Sequence, residues 1–143
     1  LFSDRFAAVF RTFDTSKPLV IISEGLINYF VLDLLRTLLQ RLIKYTQDFQ
    51  ALYYLTDVYP MPLQAHFRYM AWQASWILKT LSHSDFDFHF NTPGEVATFF
   101  HSCGFAQVNI WQPSMFKKQE PAASDIETQS HQGDLVWVIE AQR

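Results

Sequence analysis

Cysteine is almost missing from this chain: Cys103 stands alone, so it has no partner for an internal disulfide and no companion thiolate for a sulfur-rich metal site. That usage fits a reducing compartment, and the chain reads as cytoplasmic. Glycine is nearly as scarce, with four residues at 25, 94, 104 and 133 and no G-x-G among them, which excludes a glycine-rich phosphate loop. A surplus of positive charge is also missing. The formal net charge is −3 and the eleven Lys and Arg are scattered, which argues against nucleic acid as a partner. No apolar run approaches the roughly 20 residues that span a bilayer, so no membrane partner is expected. The first residues lack the basic start and apolar centre of a signal peptide. What the chain does have is hydrophobic and aromatic mass, 49% and 17% of its 143 residues. A single α/β domain with a sizeable core is the expectation.

The order of patterns is helix, strand, helix, strand. Phe2, Phe6, Val9, Phe10 and Phe13 recur at helical spacing, so residues 1–13 read as an amphipathic helix that Asp14, Thr15, Ser16 and Pro18 break. Leu19 to Ile22 is a short β-branched run without alternation, the pattern of a strand buried on both faces of a parallel sheet. From Val31 to Tyr45, Leu34, Leu35, Leu38, Leu39, Leu42 and Ile43 make one helical face. Ala51 to Val58 reads as a second strand. Alternating helices and strands of this kind predict parallel pairing.

Pro60 and Pro62 introduce an aromatic helix over 63–81, and Thr92, Pro93 and Glu95 form a helix start that closes at Gly104. Phe105 to Trp111 and Leu135 to Ala141 read as a closing antiparallel pair, joined by the polar stretch KKQEPAASDIETQSHQGD.

Against this frame one placement is odd. In VIISEGLINYF the acid Glu24 follows a hydrophobic strand and precedes a glycine. In an open parallel sheet ligands bind beyond the carboxyl ends of the strands, where loops and helix N-termini converge. A carboxylate there can accept hydrogen bonds from ribose hydroxyls or pair with an ammonium, and Gly25 lets a ligand or a backbone come close. A solvated turn ahead of a helix accounts for the same two residues equally well.

Other clusters offer competing chemistry. In HSDFDFHF, an extended backbone would place His83, Asp85, Asp87 and His89 on one side, a plausible metal set. Alternate residues of a strand lie about 7 Å apart, however, so four of them cannot converge on one ion. A polar outer face over Phe86, Phe88 and Phe90 is the favoured reading, with no metal site assigned. The aromatics from Phe67 to Trp76 suit either a core or the wall of an apolar pocket. His101 and Cys103 sit two apart on a helix and point to different sides.

KPLVIISEGLINYF, followed by an amphipathic helix and a strand ending in Asp57, resembles the leucine carboxyl methyltransferase family and related class I S-adenosylmethionine-dependent O-methyltransferases. The match is carried by Ser23, Glu24, Gly25, Leu26 and Tyr29, and NTPGEVATFFHSCGFAQVNIW and GDLVWVIEA resemble that fold's last helix and last two strands. The resemblance implies the C-terminal part of a Rossmann-like methyltransferase domain without its glycine-rich loop. It implies S-adenosyl-L-methionine as cofactor, Glu24 and Gly25 as cofactor contacts, Tyr29 near the reacting centre, and Asp57 on the substrate side. The acceptor would be a carboxylate or hydroxyl of a small molecule or protein. A hydroxyl acceptor needs a base, for which His66 is the nearby candidate beside its plainer reading as a surface or capping histidine. In the complete fold the strand ending at Glu24 is central, so the chain taken alone exposes an unpaired hydrophobic edge open to self-association. A noncatalytic binding module that keeps the half-fold is the alternative.

Overall fold

The computed structural model describes residues 4–61, 86–116 and 134–143. Helix α1 (Asp4–Phe10) is followed by β1 (Leu19–Ile22), a 3-10 turn (Ile27–Tyr29), α2 (Leu32–Tyr45) and β2 (Leu52–Val58). After the undescribed residues come α3 (Pro93–Cys103), β3 (Gln107–Trp111), a 3-10 turn (Pro113–Phe116) and β4 (Trp137–Gln142). The expected helix over 63–81, His66 within it, and the polar stretch after Phe116 as far as Gly133 lie outside the described residues.

The four strands form one sheet in the order β1-β2-β4-β3. β1 runs parallel to β2, with Leu19 opposite Leu52 and Ile22 opposite Leu55. β4 is antiparallel to both neighbours, pairing Tyr54 with Ala141 on one side and Val108 with Ala141 on the other. The mixed α/β architecture and the closing antiparallel pair are those the sequence predicts. The insertion of β4 between β2 and β3 has a compositional reason. β4 turns Trp137, Ile139 and Ala141 into the core, whereas β3 alternates Val108 and Ile110 with exposed Gln107 and Asn109, as an edge strand can.

One face of the sheet carries the core. Leu52, Tyr54 and Val58 of β2 and Trp137, Ile139 and Ala141 of β4 pack with Leu35, Leu39 and Leu42 of α2 and Val96, Phe99, Phe100 and Cys103 of α3. Tyr54, Phe100 and Phe105 form a triangle of rings, with Tyr54 6.3 and 6.0 Å from the other two centroids and those two 5.8 Å apart. Burial among these apolar side chains raises the pKa of the Cys103 thiol, which suits a packing role. Arg36 ties the two helices together at their surface: its guanidinium lies 5.0 Å from the Phe99 ring centre and donates to Ser102 Oγ. Arg143 donates to the carbonyls of Thr46 and Phe49 at 2.8 and 3.2 Å, placing a cation at the C-terminal end of α2, where the helix dipole favours one.

β1 departs from the expectation of a strand buried on both faces. Leu19 and Ile21 pack against the core, but Val20 is 53% and Ile22 73% exposed. Among the described residues α2 and α3 cover only the face that Leu19 and Ile21 share, and β1 is an outer strand of the sheet. Among the same residues, no helix is long and apolar enough to cross a membrane.

The ends of α3 are set by chemistry legible in the sequence. Thr92 Oγ1 accepts from the Glu95 amide at 3.2 Å, Glu95 reaches back to the Asn91 amide at 2.7 Å, and Pro93 occupies the first turn. Gly104 ends the helix at φ 112°. A Cβ on that residue would stand 3.2 Å from Ile43 Cδ1, so a side chain there meets both backbone strain and a packed helix. Gly104→Ala should therefore lower stability by about 1–2 kcal/mol, the cost of left-handed backbone for a residue with a side chain. Urea denaturation monitored by circular dichroism checks this.

Candidate site at the ends of the parallel strands

Parallel pairing brings the carboxyl ends of β1 and β2 side by side, and the pairing continues one residue past β1, where the Ser23 amide donates to the Leu55 carbonyl at 2.9 Å. Beneath this point three hydroxyls form a chain. Tyr54 Oη and Ser23 Oγ are 2.6 Å apart, and Ser23 Oγ donates to Thr56 Oγ1 at 2.9 Å. Tyr54 and Thr56 are buried because they share the inward face of β2 at the strand's two-residue period. Their hydroxyls are satisfied by Ser23, the residue that directly precedes Glu24. Such a chain holds the strand end, since each bond polarises the next.

Glu24 itself is exposed. Gly25 follows at φ 63°, and its amide donates to Asp57 Oδ1 at 2.7 Å, a charge-assisted bond across the two strand ends. Its two chain neighbours apart, no heavy atom of the described residues lies within 4 Å of where a Cβ on Gly25 would stand, so the glycine answers to its backbone conformation.

The chain then enters the 3-10 turn, where Asn28 is 1% exposed. Its side-chain amide donates to the carbonyls of Tyr59 and Asp87 at 2.9 and 2.8 Å and accepts from the Tyr59 amide at 2.9 Å. The Asp87 amide in turn donates to the Asn28 carbonyl at 2.8 Å. One buried residue thus joins the turn after β1, the end of β2 and the segment over 86–90. That junction gathers aromatics. Tyr29 (41% exposed) and Tyr59 both set their rings edge-on to Phe86, with centroids 5.3 and 6.0 Å away, and Phe88 closes on Phe86 at 5.3 Å.

Glu24, Gly25, Tyr29 and Asp57 are therefore residues of one strand-end neighbourhood. His66 and the aromatics from Phe67 to Trp76 lie outside the described residues, as do His83 and Asp85. Residues 86–90 form no strand; Phe90 is buried and Asp87 exposed. Among the described residues no group of three or more His, Cys, Asp or Glu is placed to hold a metal ion. Sequence reasoning missed two features. The alternation of Tyr54 and Thr56 on β2 was a usable signal for the hydroxyl chain, whereas nothing local distinguishes Asn28 from a surface asparagine.

No protein-family model matches the chain, and no curated protein matches it in sequence. Among solved structures its fold is similar to that of a SAM dependent methyltransferase from Archaeoglobus fulgidus. The TM-score is 0.48 at 13% identity, over 96% of this chain and 64% of that one. The chain therefore spans less than two thirds of that neighbour's length. The neighbour's description speaks of a SAM dependent methyltransferase and not of leucine carboxyl methylation. At so low an identity no correspondence between individual residues follows.

The hydroxyl chain has a pH signature. Burial, ahead of every other influence, raises the Tyr54 phenol above the ordinary tyrosine value of about 10. The folded state thus holds this proton more tightly than the unfolded state does. The resulting stability is complete below about pH 10 and is lost as pH rises from there through the folded pKa. Among the six tyrosines, Tyr54 should ionise late in an alkaline spectrophotometric titration. Tyr54→Phe should remove its share of the alkaline fall in stability.

Proposed function

We propose that the chain is part of an S-adenosylmethionine-dependent O-methyltransferase in which Glu24 contacts the cofactor. The observation that carries this reading is the placement of Glu24, an exposed carboxylate at the carboxyl end of a parallel strand, beside a left-handed glycine. The resemblance of Ser23, Glu24, Gly25, Leu26 and Tyr29 to the leucine carboxyl methyltransferases and their relatives supports it and gives the pair its cofactor role.

The residues fit the group. A solvated carboxylate accepts two hydrogen bonds from a vicinal diol such as a ribose, and trades water for those hydroxyls without having been buried first. When bound, the cofactor supplies an electrophilic methyl group on a sulfonium. The chain's own residues contribute position and a drier surround. Tyr29, Tyr59 and Phe86 form an aromatic cluster in the turn that follows Glu24, and Asn28 fixes the three segments that carry it. A carboxylate acceptor needs no base from the protein. A hydroxyl acceptor, of a small molecule or protein, would draw on a base such as His66.

Calorimetric titration with S-adenosylhomocysteine tests the reading directly. The wild-type chain should bind, and Glu24→Ala should weaken binding by about tenfold to a hundredfold, the worth of hydrogen bonds to a charged group. Equal affinity in the two proteins would remove Glu24 from the site, and absence of binding both to this chain and to the longer protein of which it is proposed to be part would remove the cofactor.

One observation favours a second reading, a noncatalytic module that pairs β1 with a second copy: Val20 and Ile22 are exposed on an outer strand that carries neither charge nor proline. Sedimentation should then show a dimer that Ile22→Lys converts to monomer. A wild-type chain that is monomeric throughout would rule this pairing out.

A further inference from the structure

We propose that Asp57 is a positioning residue, whose carboxylate holds the Gly25 amide and so aims Glu24. The inference rests on the reading of Glu24 as a cofactor contact. Three observations carry it. Asp57 Oδ1 accepts from Gly25 N–H at 2.7 Å, a distance typical of a strong charge-assisted bond. Gly25 stands at φ 63°, a conformation that glycine leaves as readily as it adopts when nothing restrains it. Its chain neighbours apart, no heavy atom of the described residues lies within 4 Å of its absent Cβ, so packing among them at that point does not hold the turn.

The geometry explains why this matters for Glu24. The Gly25 N–H belongs to the same planar peptide unit as the Glu24 carbonyl. Fixing the direction of that N–H therefore fixes the plane, and with it the backbone torsion between the Glu24 Cα and its carbonyl carbon. On the other side of Glu24, Ser23 is held by its amide on Leu55 and its hydroxyl between Tyr54 and Thr56. Glu24 thus sits between two anchored residues, and its own side chain stays exposed. Without Asp57 the downstream anchor is lost while the upstream one remains. The family resemblance implies a substrate-side acid at Asp57, near the end of β2; the bond to Gly25 gives its carboxylate a task within the chain.

The test compares Asp57→Asn with Asp57→Ala. Asparagine keeps an acceptor oxygen where the carboxylate had one, and alanine keeps none. S-adenosylhomocysteine affinity is measured by calorimetry, and the Gly25 amide is followed by nitrogen-proton NMR with hydrogen exchange. Asp57→Ala should weaken binding by about tenfold, shift the Gly25 amide upfield and speed its exchange, whereas Asp57→Asn should stay within about threefold of wild type and keep the amide protected. Equal losses in both variants would overturn the proposal, because charge rather than an acceptor would then matter. So would unchanged affinity in both beside a weakened Glu24→Ala. If the wild type binds no S-adenosylhomocysteine, the affinities are compared in the longer protein of which the chain is proposed to be part, and if that binds none either the cofactor reading falls by itself. The hold of Asp57 on the turn is then decided by hydrogen exchange at the Gly25 amide, which must speed in Asp57→Ala and stay slow in Asp57→Asn. Far-ultraviolet circular dichroism, with the NMR spectrum as a whole, separates a local change from unfolding.

Discussion

The parallel register of β1 against β2 is the constraint on which the strand-end neighbourhood depends. Leu19 opposite Leu52 and Ile22 opposite Leu55 put Ser23 level with the inward hydroxyls of β2 and Gly25 within reach of Asp57. Because side chains alternate with a period of two, a slip of one residue would exchange the faces of β1. Val20 and Ile22 would then point at α2 and α3, and Ser23 would turn away from Tyr54 and Thr56. The apolar packing of Leu19 and Ile21 and the polar bonds of Ser23 therefore specify the same register. Agreement between core and polar network is what gives a short strand of four residues a single pairing.

Much of the scaffold was legible because its signals are local. The helix face from Leu35 to Leu42, the Thr92, Pro93 and Glu95 start of α3 and the Gly104 stop each act within a turn or two of chain. The structure reproduces them to within a residue or two. The strand-end acid and its glycine were also legible, as residue types out of place. What pairs with them was not. Asp57 lies 32 residues from Gly25, and Tyr54 lies 31 from Ser23, so these contacts exist only once the register is fixed. Asn28 illustrates the same limit: its three partners are backbone groups, which carry no trace in the sequence.

The exposure of β1 shows where a pattern rule misleads. A run of four β-branched and aliphatic residues describes a strand without solvent-facing polarity, and that is a statement about the strand's chemistry, not about what covers it. In the structure α2 and α3 cover one face, and Val20 and Ile22 lie on the other. On β2 the same outer face is shared by Tyr53, Leu55 and Asp57, so apolar and acidic positions meet there side by side.

The burial of the hydroxyl chain and the exposure of Glu24 fit one physical logic. A carboxylate buried at the strand end would need permanent partners, and those partners would compete with any ligand hydroxyl for its lone pairs. Neutral hydroxyls can be buried at lower cost once paired, and Tyr54, Ser23 and Thr56 satisfy one another. The fold thus spends its buried polar bonds on the residue before Glu24 and its charge-assisted bond on the residue after it. The acid between them stays in water, free to exchange that water for a ligand. Its backbone is held from both sides, and its side chain is left uncommitted.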